Sequence, residues 1–197
     1  MDVLLFVALY LFGLFLTFSI HLGFFPKKMN YPFFFLLLVG IFISIFIYRL
    51  NIKGLIFQPP TIMSILLYTL ITTVVVLVCR LFKNDILTSR SKLKTSMNGV
   101  SMLTILFYLI ISAPLQEFVF RSYLLLIFQH FHWNSMLFYV IFSGITFSLA
   151  HIFFKYWLIS VGSLLLGMLW AAVYYYYPDL LFLSISHAVI GLLIAII

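Results

Sequence analysis

A chain of 197 residues that is 65% hydrophobic and only 8% charged, with a mean hydropathy of +1.26, carries more apolar surface than a soluble core of that size can bury. The composition excludes an ordinary water-soluble domain and points to a polytopic membrane protein, with room for roughly six to eight spans of about 20 residues in one unit. The net charge of +7 does not indicate nucleic acid, because the basic residues lie in the connections between apolar runs and no basic face with interleaved exposed aromatics accompanies them.

Residues 3–24 read as a first span closed by Pro26, Lys27 and Lys28. With Asp2 ahead of it and no small-residue cleavage site behind it, this run is expected to be a span and not a signal peptide. Residues 32–48 form a second span closed by Arg49. The connection over 50–60 mixes Asn51, Lys53 and Gly54 with Leu55, Ile56 and Phe57, a composition suited to the membrane interface. Pro59, Pro60 and Thr61 start a third span that ends near Cys79 and Arg80. Cys79 is the single cysteine and can form no internal disulfide.

Residues 83–98 are the long polar segment, with Lys83, Arg90, Lys92 and Lys94 among serines and threonines, and read as a cytoplasmic topology determinant. A fourth run extends from Met102 to about Phe128, and Pro114 predicts a kink in it. A fifth span is expected to start at Asn134, whose side chain can cap it, and to end before Lys155. A sixth covers residues 158–175, after which Tyr174, Tyr175, Tyr176 and Tyr177 read as an interfacial aromatic belt. Pro178 and Asp179 turn the chain into a seventh span that reaches Ile197. The loops after spans one, three and five hold eight Lys or Arg against two in the others, which predicts an outside N-terminus and an inside C-terminus. The expected fold is therefore all-α, a transmembrane helical bundle of about seven spans. Residues 1–100 would hold the first spans and the basic loop, and residues 101–197 a C-terminal core.

Ionisable groups inside such runs are costly and mark functional sites by default. Glu117 and Arg121 are four residues apart, so on a helix they can pair, which by itself is also how a structural ion pair becomes tolerable. Gln116 lies about 100° around the helix from Glu117 and faces another neighbour. Gly144, Phe147, Ser148 and His151 share one helical face, and Ser184, His187, Ala188 and Gly191 share another, so both histidines point where small residues let helices approach. Ser163, Gly167 and Ala171 read as a packing seam. Either histidine alone reads as a hydrogen-bonded packing residue. Together, a carboxylate or amide and two imidazoles on three spans could activate a water against a carbonyl, relay protons, or supply a zinc ligand set. His21, His130 and His132 lie near span ends, where a solvated or headgroup-facing histidine is the simpler account.

The order Gln116-Glu117-x-x-x-Arg121, then Phe147-x-x-x-His151, then His187 four residues before Gly191 resembles the three-motif signature of the CPBP family of intramembrane proteases. That family includes type II CAAX prenyl endopeptidases and bacterial bacteriocin-processing and self-immunity proteins. The resemblance covers about the last hundred residues. It implies an integral membrane protein of a bacterial cytoplasmic membrane that cleaves a membrane-associated peptide or protein substrate, without a catalytic metal or other cofactor. Its implied site is Glu117, His151, His187, Gln116 and Arg121: His151 activates water with Gln116 or Glu117, Arg121 fixes Glu117, and His187 stabilises the tetrahedral oxyanion. The family pattern has a second glutamate where Gln116 stands and an asparagine or aspartate where Gly191 stands. An amide is no general base, so Gln116 could orient a water but not take its proton. Glu117 could replace the missing base only if the helix turns at Pro114 or is locally overwound. A catalytically inactive homologue acting as a membrane scaffold or partner-binding protein is the alternative. Depth sets a geometric demand as well. At 1.5 Å per residue, His187 lies about 10 Å and His151 roughly 25 Å from the outer ends of their spans, so straight full-length helices would keep them apart.

Overall fold

The computed structural model describes residues 59–81, 102–151 and 157–196, and every regular element among them is helical. The expected first and second spans and the basic loop lie outside the described residues. The described helices are α1 (Ile62–Leu81), α2 (residues 102–130), α3 (Met136–His151), α4 (Trp157–Tyr176) and α5 (Leu180–Ile196). Of these, α1, α4 and the segment Ile105–Gln129 of α2 are long and apolar enough to cross a membrane, and α3 and α5 are shorter apolar helices.

Burial is inverted relative to a soluble protein. Outward positions are apolar, as with Leu66, Leu70 and Leu77 on α1 and Leu165 and Leu169 on α4, while Ser64, Glu117, Arg121, Ser143, Asp179 and His187 are inside. A lipid environment leaves apolar surface at no cost and makes every polar group seek an internal partner, which produces this arrangement.

The α2 run is one continuous helix with two widened π-helical turns, Tyr108–Ser112 and Phe118–Tyr123, bracketing the short α-helical stretch Ala113–Glu117. Pro114 accounts for the first. It has no N–H, and its ring collides with the carbonyl four residues back, so the chain switches just before it to a five-residue bond from the Ala113 N–H to the Tyr108 carbonyl. The second widened turn presents carbonyls to α3, with Ser143 donating to the Phe120 carbonyl at 2.9 Å and the Tyr139 hydroxyl to the Arg121 carbonyl at 3.4 Å. At its end α2 closes through bonds from the His132 N–H to the Gln129 carbonyl and from the Trp133 N–H to the Phe128 carbonyl. His132 takes the left-handed position (φ 56°) usually given to glycine in such a cap.

The start of α3 differs from expectation. Its cap is Ser135, whose Oγ accepts the Phe138 N–H at 3.3 Å, and the helix begins at Met136, two residues after the predicted Asn134. The small-residue faces meet as expected. Gly144 and Gly167 face each other so closely that a Cβ at Gly167 would lie 3.1 Å from the Gly144 Cα, and Ser148 bonds across to the Ser160 carbonyl at 2.7 Å.

Asp179 caps α5 by accepting the Phe182 N–H at 3.1 Å and takes a bond from Ser64 Oγ at 2.7 Å, which ties α5 to α1. One member of the tyrosine run departs from the predicted belt. Tyr174 is fully buried and its hydroxyl pairs with Ser122, whereas Tyr176 is exposed. The helical period separates them, since residues two apart point to opposite sides.

Candidate functional site

Glu117 is fully buried at the end of the α-helical stretch between the two π turns. Arg121, one turn further along α2, brings its Nε to 3.2 Å from Oε2, and His187 of α5 brings its Nδ1 to 2.6 Å from Oε1. Both contacts are defined by distance, for neither has the angular alignment of a hydrogen bond. At 2.6 Å a nitrogen lone pair would be repelled by the carboxylate, so Nδ1 carries the proton and His187 turns Nε2 away from Glu117.

His151 is held in the same sense by a different acceptor. Its Nδ1 lies 2.8 Å from the Phe147 carbonyl oxygen. A carbonyl can only accept, so Nδ1 donates and the lone pair of the neutral ring resides on Nε2. The two imidazoles have centroids 6.2 Å apart. The two rings therefore meet, against the separation that straight full-length spans predict.

Phe147 is the ring around which these groups are arranged. It lies 4.3 Å from His151 and 5.3 Å from His187 between centroids, and the Arg121 guanidinium carbon sits 4.2 Å over its face. A buried guanidinium is stabilised here by a carboxylate on one side and the negative face of an aromatic ring on the other. Trp170 of α4 completes the wall at 5.3 Å from the His187 ring. Its indole N–H donates to Ser186 Oγ at 3.1 Å, and Ser186 shares a 2.7 Å hydrogen bond with Thr72 of α1.

Thus Glu117, Arg121, His151 and His187 converge. Gln116 turns elsewhere: its amide nitrogen donates to Ser112 Oγ at 3.0 Å, one turn back on α2. The carboxylate faces an imidazole without any overwinding of α2, for the turns flanking it are widened. Of the two expected conditions, a turn at Pro114 is the one present, as the π turn just before it.

Sequence reasoning did not single out Tyr108, Trp170, Ser186, Thr72 or Asp179. Ser186 adjoins His187, and Asp179 follows a proline at a helix start, so both had a local signal. Thr72 and Tyr108 had none, since a threonine or tyrosine in an apolar run is ordinary. Among the described residues, no three His, Cys, Asp or Glu side chains converge as a metal-ligand set. An apolar groove of about 270 Å³ on the flank of α2 and α5, lined in part by Leu109, Pro114, Ile185 and Val189, has none of the four converging groups in its wall.

Residues 98–193 match the family described as Type II CAAX prenyl endopeptidase Rce1-like. This range contains all the converging ionisable groups, while Ser64 and Thr72 of α1 lie before it. No curated protein and no solved structure matches the chain.

Proposed function

We propose that this chain, whose residues 98–193 carry the signature of the Rce1-like type II CAAX prenyl endopeptidases, is an intramembrane endopeptidase that cleaves a membrane-associated peptide or protein. The observation that carries the reading is the buried Glu117 carboxylate held against His187, with the His151 ring 6.2 Å further on.

In this mechanism His151 Nε2 takes a proton from water as the oxygen attacks the scissile carbonyl carbon. The resulting oxyanion is met by the Nε2–H of His187 in its doubly protonated form, which the Glu117 carboxylate beside Nδ1 supports. Collapse of the tetrahedral intermediate breaks the C–N bond, and His151 returns the proton to the leaving amine. Arg121 holds Glu117 and touches no reacting atom. Gln116, bonded to Ser112, stands outside these steps. The chemistry uses these side chains and water alone. The chain would cross the membrane about seven times, with its N-terminus outside, its C-terminus inside and the family core in its second half, in a bacterial cytoplasmic membrane.

The test is cleavage of a lipid-anchored fluorogenic peptide by the purified protein in proteoliposomes. Turnover that His151→Ala abolishes supports the protease reading. A wild type without turnover, also silent as Gln116→Glu, overturns it in favour of a scaffold that binds membrane partners. The observation favouring that second reading is the Gln116 amide, which supplies no base and turns toward Ser112.

A further inference from the structure

Gly191 stands one helical turn beyond His187 on α5, and the space its missing side chain leaves is filled. A Cβ at this position would collide with the Tyr108 hydroxyl and with its ring carbon Cζ, the latter at 2.8 Å. The Tyr108 ring meets the His187 ring edge-on at 6.2 Å and 84°. A phenolic O–H from α2 is thus seated against bare backbone of α5, beside the imidazole that faces the carboxylate.

The backbone of α2 explains how it arrives there. Tyr108 opens the first π turn, and its carbonyl accepts the five-residue bond from Ala113 that Pro114 enforces. A π turn inserts one residue into a helix and so rotates the residues before it relative to those after it. Glu117 lies beyond the turn and faces His187, and Tyr108, at the start of the turn, faces the same stretch of α5. The insertion lets one helix bring both an acidic and a hydroxyl group against His187.

From this placement we propose that Tyr108 donates a hydrogen bond to the carbonyl oxygen of the bound peptide as it becomes an oxyanion, alongside His187, and that Gly191 is glycine because the tyrosine hydroxyl occupies its side-chain space. The assignment rests on the protease reading above. A phenol is a suitable donor: it carries one O–H, needs no charge, and is rigid enough to be aimed by its backbone. It makes its full contribution only when charge develops on the oxygen, so its removal lowers kcat and leaves KM nearly unchanged.

The experiment is steady-state cleavage of the lipid-anchored peptide in proteoliposomes by wild type, Tyr108→Phe, Tyr108→Ala and Tyr108→Ala/Gly191→Asn. Tyr108→Phe keeps the ring and its contacts, and its kcat should fall about 100-fold or more, the usual loss for one oxyanion donor, with KM within about twofold. Tyr108→Ala opens the space at position 191, and adding the asparagine amide there should return at least about tenfold of the lost kcat. A Tyr108→Phe enzyme with wild-type kcat, or a double variant no faster than Tyr108→Ala, overturns the donor assignment while leaving the protease reading intact. A wild type without turnover overturns both.

Discussion

His187 Nδ1 lies 2.6 Å from the Oε1 atom of Glu117, so a residue of the last helix and a residue of α2 form a buried pair inside a bundle whose outer surface is apolar. Arg121 makes the pair a triad, and the three helices that pack around it set where each ring nitrogen points.

Removing the charge of Glu117 while keeping its shape separates position from electrostatics. Under the proposed mechanism Glu117→Gln should cut kcat by roughly 100- to 10,000-fold, because no carboxylate then supports the protonated His187. It should also destabilise the protein by about 3–5 kcal/mol, since Arg121 is then a buried cation without its anion. Cleavage assays and thermal unfolding in detergent read the two effects.

Arg121→Lys should not preserve function. A guanidinium can meet Glu117 through Nε while its carbon sits over the Phe147 ring, and an ammonium point charge cannot do both. A drop in kcat of about tenfold or more is expected, with KM little changed, in the same cleavage assay.

The α1 helix lies before the matched region, yet Thr72 bonds Ser186, which in turn takes the Trp170 N–H. A double-mutant cycle of Thr72→Val and Ser186→Ala should give a stability coupling of about 0.5–1.5 kcal/mol, and each single variant should lower kcat through the Trp170 wall beside His187. Additive effects on unfolding would show that α1 does not support the site.

Gly167→Leu should be far more damaging than an exposed leucine substitution on the same helix. A side chain there pushes against the Gly144 Cα and the Phe147 side chain at 3.1–3.3 Å, so α3 must move and carry His151 with it. Loss of activity together with a cost of about 1–3 kcal/mol from overpacking is the expected outcome, measured by cleavage and unfolding.

Asp179→Ala should cost about 1 kcal/mol for the lost α5 cap, and more because Ser64 loses its acceptor. Asp179→Asn should retain most of the cap. Unfolding midpoints of the two variants distinguish capping from the tie to α1.

The amino-acid sequence alone makes this a membrane protein, because 65% apolar residues admit no aqueous exterior. It also determined the approximate helices over the described residues and the three positions at which ionisable groups enter apolar runs. Helical period alone further placed Gly144, Phe147 and His151 on one face and His187 and Gly191 on another, since these relations are local. What period could not supply was the phase between helices. Pro114 signalled an interruption, but nothing local signalled the second π turn, whose Phe120 and Arg121 carbonyls accept from hydroxyls of α3 in the assembled bundle. The same tertiary choice turned Glu117 toward His187 and Gln116 toward Ser112, and filled the space at Gly191 with a tyrosine 83 residues earlier in the chain. Local composition fixes which groups are buried, and only the meeting of helices fixes which buried groups meet.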